Sequence, residues 1–188
     1  MSKKNDFHVY VDGSAMTDTN RYGIGWVKTN HKDKQPSEKS KRLPFAKACS
    51  TAAEVYAAAD ALEHIRKNSK VTIHSDSAAV CEAIATNKFY DKIKKSRKNK
   101  PLRKSWEKLE RATQKHEEVT AFYTHEDDHP HMKTAHQLAQ DGAMKPFNKE
   151  SKDDKKAVRH SKGEIERDIT NLDNLDNTPD YPDMDYVA

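Results

Sequence analysis

FHVYVDGS, residues 7–14, joins a run of β-branched and aromatic residues to an acid–glycine–serine turn signal. Phe7–Val11 reads as a strand, because such side chains suit a pleated, half-buried surface, and Asp12-Gly13-Ser14 reads as its end. Asp12 therefore stands at a strand end, apart from the many carboxylates carried on helix faces. Working outward, Tyr22–Lys28 (YGIGWVK) reads as a second strand and Glu38–Leu43 as a third, after a polar loop rich in Lys, Asp and Pro. From Ser50 the pattern changes. STAAEVYAAADALEHIRKN is alanine-rich with helical spacing, with Ser50 and Thr51 as N-cap candidates.

Val71–His74 (VTIH) is a buried-type strand ending at Ser75-Asp76-Ser77, and a helix over Ala78–Thr86 follows. Two basic helical stretches, Phe89–Arg97 and Leu102–His116, are separated by the breaker Asn99-Lys100-Pro101. Val119–Tyr123 (VTAFY) predicts a last strand, and Pro130 opens a final helix reaching about Met144. The order β-β-β-α-β-α-α-α-β-α predicts a mixed α/β plan, with three hairpin-joined strands followed by strands that alternate with helices.

The chain has 188 residues, a third of them charged and 34% hydrophobic. That composition supports one core of roughly 140 residues and not one running to both ends. Two regions are expected: a folded domain over 1–146 and a polar, disordered tail over 147–188. Within the tail, Asp168–Ala188 lacks Lys and Arg and holds two prolines, and a helical patch around Lys155–Ile169 could not bury a face alone. No apolar run approaches the roughly 18–20 residues of a membrane span. The N-terminal stretch has no apolar region of a signal peptide, so a cytoplasmic protein is expected. Cys49 and Cys81 are too few and unpatterned for a disulfide scaffold or a zinc cage, and read as buried reduced thiols. With no evident apolar surface stripe, a monomer is expected.

Charge is unevenly spread. Residues 1–144 carry 26 Lys/Arg against 19 Asp/Glu, and residues 145–188 carry 8 against 11. Between Thr86 and Lys108 stand ten basic residues and two acidic ones, which points to a body that binds a polyanion.

Two further carboxylates join Asp12 as candidates. Asp76 ends the fourth strand, and Glu54 lies in the first turn of the alanine-rich helix on an otherwise small, apolar surface. If the first and fourth strands are neighbours, the three converge. Converging carboxylates raise each other's pKa, and the arrangement makes physical sense chiefly when divalent cations neutralise it. Hard oxygen donors with open positions select Mg²⁺ or Mn²⁺, and paired ions of this kind promote phosphodiester cleavage. THEDDHPHMKTAHQ, residues 124–137, adds four histidines: His125, His129, His131 and His136. Their spacing fits neither a helical zinc pair nor a Cys/His cage.

DGS, then AAE in an alanine-rich helix, then SDS after a strand, then a histidine loop and HP before a last helix: in this order the chain resembles type 1 ribonuclease H, over roughly residues 6–144. The resemblance implies a ribonuclease H-like α/β fold, a five-stranded mixed sheet of three antiparallel strands then parallel strands, flanked by helices. It implies metal-dependent endonucleolytic hydrolysis of the RNA strand of RNA–DNA hybrids, leaving 5′-phosphomonoesters, with two Mg²⁺ or Mn²⁺ ions.

Carried over by position, Asp12, Glu54 and Asp76 match the family's first three metal-binding carboxylates. His125 matches the mobile loop histidine that assists proton transfer or product release. The position of the family's fourth carboxylate is His136, expected as a substituted ligand or near-ligand of the metal site. An imidazole there suits Mn²⁺ better than Mg²⁺. Asp141 lies too far round the helix to replace it. His129 is expected to be structural and His131 a solvated helix residue.

The basic stretch resembles the family's basic protrusion, with Lys94, Lys95, Arg97, Lys98 and Lys100 as phosphate contacts and Trp106 packing the helix on the core. Gly13, Ser14 and Asn20 (with Asp18) are further candidates for nucleic-acid contact. Ser50 and Thr51 stand where the family commonly has Asn-Asn, and Ala78 where it has Gln, so amides that read 2′-hydroxyls are replaced by hydroxyls and a methyl group. Two other readings compete: a non-catalytic nucleic-acid-binding module on the same scaffold, and another nuclease of this fold acting on other duplexes. The tail is expected either to solubilise, to fold back on the basic helices, or to dock to a protein partner through DYPDMDYVA.

Overall fold

The computed structural model describes residues 6–146 apart from residues 17, 31–34 and 46. The expected tail, with its helical patch and docking peptide, lies outside the described residues. Five strands form one sheet: β1 (Asp6–Met16), β2 (Arg21–Asn30), β3 (Ser37–Leu43), β4 (Lys70–Ser75) and β5 (Glu118–Tyr123), in the order β3-β2-β1-β4-β5. β1, β2 and β3 pair antiparallel, and β4 and β5 add in parallel. The helices are α1 (Ser50–Glu63), α2 (Ala78–Thr86), α3 (Phe89–Lys95), α4 (Lys100–Thr113) and α5 (Pro130–Met144). The expected mixed sheet and element order are both present.

Side chains alternate across a strand, so each strand feeds two layers. On one face Val9, Val11, Ile24, Trp26 and Ile73 join α1 and α4 in the larger core, through Val55, Leu62, Trp106 and Leu109. On the other, Tyr10 and Val27 meet Met132 and Ala135 of α5. The alanines of α1 are buried on nearly all sides, because that helix lies between the sheet and α4. Opposite it, α5 lies directly on the glycines of β2. A Cβ on Gly23 would stand 2.2 Å from the Ala143 nitrogen, and one on Gly25 2.2 Å from the Ala135 oxygen.

Several boundaries differ from the sequence reading. β1 does not turn at Asp12-Gly13-Ser14; it runs to Met16, and Asp12, Gly13 and Ser14 pair with Gly25, Ile24 and Gly23 of β2. What ends at Val11 is the pairing with β4. The two basic helices are separate as expected, but the break falls over residues 96–99 and Lys100-Pro101 already belong to α4: the Asn99 side chain accepts from the Leu102 N–H at 3.1 Å, and Pro101 sits in the first turn, where a missing N–H costs nothing. Helix α1 ends at Glu63, short of Asn68, which adopts a left-handed φ of 58°. Cys49 caps α1 at its N-terminus, without a side-chain hydrogen bond, so Ser50 and Thr51 are first-turn residues and not the cap. Both cysteines are free and half-buried, less enclosed than expected. Among the described residues, no helix is long and apolar enough to cross a membrane.

Candidate active site

The register of the sheet assembles the carboxylates. Val11 and Ser75 are the last paired residues of β1 and β4, so the next residue of each, Asp12 and Asp76, emerges at the same end of the sheet. Gly13 then permits a close approach by α1. A Cβ there would meet the Glu54 nitrogen at 2.2 Å and the Ala53 carbonyl carbon at 2.3 Å, so only a glycine lets the first turn of α1 rest on β1. Glu54 is thereby brought beside the two aspartates.

The electrostatics record that convergence. Burial raises the pKa of Glu54, the Asp76 and Asp12 charges raise it further, and a hydrogen bond from Ser77 works the other way. Burial also raises Asp76, with the Asp12 charge next and Glu126 adding to it. Asp12 itself is 5% exposed. Its Oδ1 accepts the Gly13 N–H at 2.7 Å, and its Oδ2 lies 2.8 Å from His136 Nδ1.

His136 reaches this point from the middle of α5. Its Nε2 lies 2.8 Å from the Gln140 amide nitrogen and 3.2 Å from Glu126 Oε2. Both ring nitrogens thus have protein partners. Glu126 and Gln140 were not legible as site residues. Gln140 stands one helical turn beyond His136, a spacing that places the two on one face. Asp141, in contrast, is exposed and takes a hydrogen bond from Gln137 at 3.0 Å.

The other histidines of the cluster separate from the site. His129 caps α5, its Nδ1 accepting the His131 N–H at 3.1 Å, and its ring stacks on Tyr10 at 4.4 Å, which supports the structural expectation. His131 is half-buried, its ring 5.2 Å from that of Tyr10. It is therefore packed and not solvated, because Tyr10 fills the space under the start of α5. His74 continues the stack on the far side of Tyr10 at 4.5 Å, and burial with the neighbouring His8 and His129 holds its pKa down at about 4. His125 is exposed in the loop before α5. Its backbone N–H donates to Asp128 at 3.0 Å, and its Nδ1 lies 3.6 Å from Asp127 Oδ2, so its ring contacts an acid of its own loop.

The candidate nucleic-acid contacts fall into three groups. Lys94 and Lys95 end α3, Arg97 and Lys98 lie in the turn to α4, and all four are exposed; Lys100 is half-buried at the start of α4. Trp106 is 2% exposed and anchors α4 to the core as expected. Ser50 and Thr51 open α1 beside the carboxylate end, with Ser50 exposed. Ser14 lies in β1, and Asn20 takes a left-handed φ of 50° in the turn between β1 and β2.

Among the described residues, no three His, Cys, Asp or Glu side chains form a ready-made metal cage. The donor set nevertheless fits hard divalent cations in charge and chemistry. Three carboxylates meet with little cationic compensation, and each oxygen of Asp12 keeps a second lone pair beyond its hydrogen bond. Mg²⁺ characteristically takes one or two carboxylates and fills its remaining positions with water and substrate phosphate.

A sheet of order β3-β2-β1-β4-β5 with helices on both faces and acids at one strand end defines the ribonuclease H-like class of α/β proteins. The RNase H family model matches residues 4–144, and the chain belongs to that family. Similar solved structures include LC9-RNase H1, a type 1 RNase H with the type 2 active-site motif. It is 16% identical with a TM-score of 0.60, over 77% of this chain and 74% of that one. RNase H1 of the halophilic archaeon Halobacterium salinarum is 16% identical with a TM-score of 0.57, over 73% and 96%. LC11-RNase H1 in complex with an RNA/DNA hybrid is 18% identical with a TM-score of 0.56, over 73% and 96%. At these identities the likeness is one of fold. No curated protein sequence matches the chain.

Proposed function

We propose that this chain is an endoribonuclease that hydrolyses the RNA strand of RNA–DNA hybrids with Mg²⁺ or Mn²⁺. The observation that carries the reading is the convergence of Asp12, Glu54 and Asp76 at one sheet end, where burial first and the neighbouring carboxylate charges next raise the pKa values of Glu54 and Asp76. A cluster of like charges opposes folding, and its place at one end of a ribonuclease H-like sheet is accounted for by a cationic ligand. Family membership and the RNA/DNA hybrid bound by the similar LC11-RNase H1 support the choice of substrate.

Asp12, Glu54 and Asp76 would hold the ions, with His136 beside them. When bound, such ions supply water activation and charge stabilisation at a scissile phosphate. The chain's own residues do the rest. The Gly13 N–H and His136 fix both oxygens of Asp12, so that carboxylate is oriented before substrate arrives. Ser77 lies close enough to Glu54 to favour its ionised carboxylate. Exposed Lys94, Lys95, Arg97 and Lys98 grip phosphates without reading sequence. Ser50 and Thr51 present hydroxyls that can pair with 2′-hydroxyl groups. His125, in the exposed loop, is free to move a proton near the leaving group.

The test is cleavage of a labelled RNA–DNA hybrid by wild type and Asp12→Asn, with Mg²⁺ and with Mn²⁺, beside duplex RNA and duplex DNA. Hybrid cleavage by wild type, abolished in Asp12→Asn while hybrid binding persists, is the expected result. Binding without cleavage by wild type would sink the enzyme reading and leave a binding module on this scaffold.

A further inference from the structure

The imidazole of His136 lies between two carboxylates from different elements. One is Asp12 of β1, 2.8 Å from Nδ1, with its side chain 6% exposed. The other is Glu126 of the loop between β5 and α5, 3.2 Å from Nε2, with its side chain 39% exposed. We infer that Glu126 is a positioning residue, which orients the His136 ring and through it the Asp12 carboxylate. The inference rests on the reading of this sheet end as the catalytic centre, and it gives a stated job to a loop acid outside the three carboxylates.

The physical case begins with degrees of freedom. A ring held at one nitrogen can still swing about the Cβ–Cγ bond, since that torsion is broad for histidine. A second partner on the opposite nitrogen removes the swing. Asp12 Oδ2 depends on the ring for its bond, whereas Oδ1 is already fixed by the adjacent Gly13 N–H. Steadying the ring therefore steadies the one oxygen of Asp12 that the backbone does not hold. Glu126 is also near enough for its charge to act on Asp76. The loop that carries it is braced locally, by the His125 N–H to Asp128 at 3.0 Å and the Asp128 N–H to the His125 carbonyl at 3.0 Å. Gln140, whose amide nitrogen is hydrogen-bonded to the same Nε2 at 2.8 Å, is the rival holder, since one ring nitrogen cannot accept from that amide and donate to Glu126 at once.

Glu126→Ala, Glu126→Gln and Gln140→Ala in the full chain separate the two. Three readouts are taken at one pH: long-range ¹H–¹⁵N spectra of the His136 ring without metal, Mn²⁺ titration, and kcat and KM on labelled hybrid. Glu126→Ala should move the ring signals, weaken Mn²⁺ binding by about 10-fold, the low end for loss of a partner that orients a ligand because it acts through His136, and lower kcat more than KM. Glu126→Gln keeps an acceptor oxygen and should hold the ring nearer its wild-type position. Ring signals and Mn²⁺ affinity unmoved in Glu126→Ala but moved in Gln140→Ala would overturn the inference in favour of Gln140. Equal loss in Glu126→Ala and Glu126→Gln would also overturn it, leaving bare charge and not position. If wild type cleaves no hybrid, the proposed function fails, while the ring spectra of the metal-free chain still decide what Glu126 does.

Discussion

Gly13 and Glu54 touch backbone to backbone: a Cβ on Gly13 would lie 2.2 Å from the Glu54 nitrogen. The contact joins the strand that carries Asp12 to the helix that carries Glu54, so the spacing of two candidate ligands depends on one missing methyl group. Gly13→Ala must push α1 off β1. The overpacking should destabilise the fold by about 1–3 kcal/mol. Hybrid cleavage should fall further than the folded fraction does, because the two carboxylates are displaced from each other. Urea unfolding beside initial rates measures both. Wild-type rates in a normally folded Gly13→Ala would show that this approach does not set the site.

A second contact lies away from the site. Asp60 of α1 is 3% exposed, and it accepts from Trp26 Nε1 at 3.0 Å and from Lys39 Nζ at 3.0 Å. Burial alone would raise its pKa, but the Trp26 and Lys39 hydrogen bonds and the Lys39 charge outweigh it and hold the carboxyl below its ordinary 3.8. A carboxyl depressed in the folded state adds stability that is present above the unfolded value and is lost as pH falls through the folded one. Asp60→Asn should therefore be less stable than wild type near neutral pH, and the two should converge in acid below about 4. Urea midpoints across that range give the comparison. A constant gap between the curves would mean that Asp60 does not supply the linkage.

How far these features were legible depends on whether they are carried by periodicity or by contact. The strands and helices followed from alternating and helical patterns, and Asp12, Glu54 and Asp76 stood out as acids at element ends. The end of β1 is not legible because Asp-Gly-Ser is common in turns, whereas here Gly13 serves the approach of α1 and the strand continues. Pro101 looked like a break, since a proline ends one helix as readily as it starts another. Glu126 could not be picked out among Glu126, Asp127 and Asp128, because only the folded loop decides which acid faces His136. His131 looked solvated because nothing in the sequence says that Tyr10, over a hundred residues earlier, packs beneath it.

The bond between His136 and Asp12 leads to a prediction about metal preference. His136→Ala removes the partner of Asp12 Oδ2 and should lower the cleavage rate by about 10- to 100-fold. His136→Asp places a fourth acid beside three that already lack compensating charge. It should recover part of the rate with Mg²⁺ and less with Mn²⁺, because oxygen donors suit Mg²⁺ and imidazole suits Mn²⁺. Initial rates over titrations of each metal show the pattern. A wild-type rate in His136→Ala with both metals would remove the histidine from the working site.

The exposed cations of α3 and the turn after it carry the last prediction. Lys94, Lys95, Arg97 and Lys98 project from a segment held to the core by Phe89 and Trp106, both 2% exposed, so replacing all four with Ala should leave the fold intact. Surface changes of that kind usually alter stability by less than about 0.5 kcal/mol each. Each lost phosphate contact releases fewer counterions on binding, at a slope of about 0.9 per contact in a plot of log Kobs against log salt. With Asp12→Asn as the background, to prevent cleavage, the four-fold variant should bind hybrid more weakly, and its salt slope should be shallower by about three to four. Fluorescence anisotropy of a labelled hybrid over a salt series reads this directly. An unchanged slope would mean that the hybrid does not lie on this face, and that the charge run is a solvated surface.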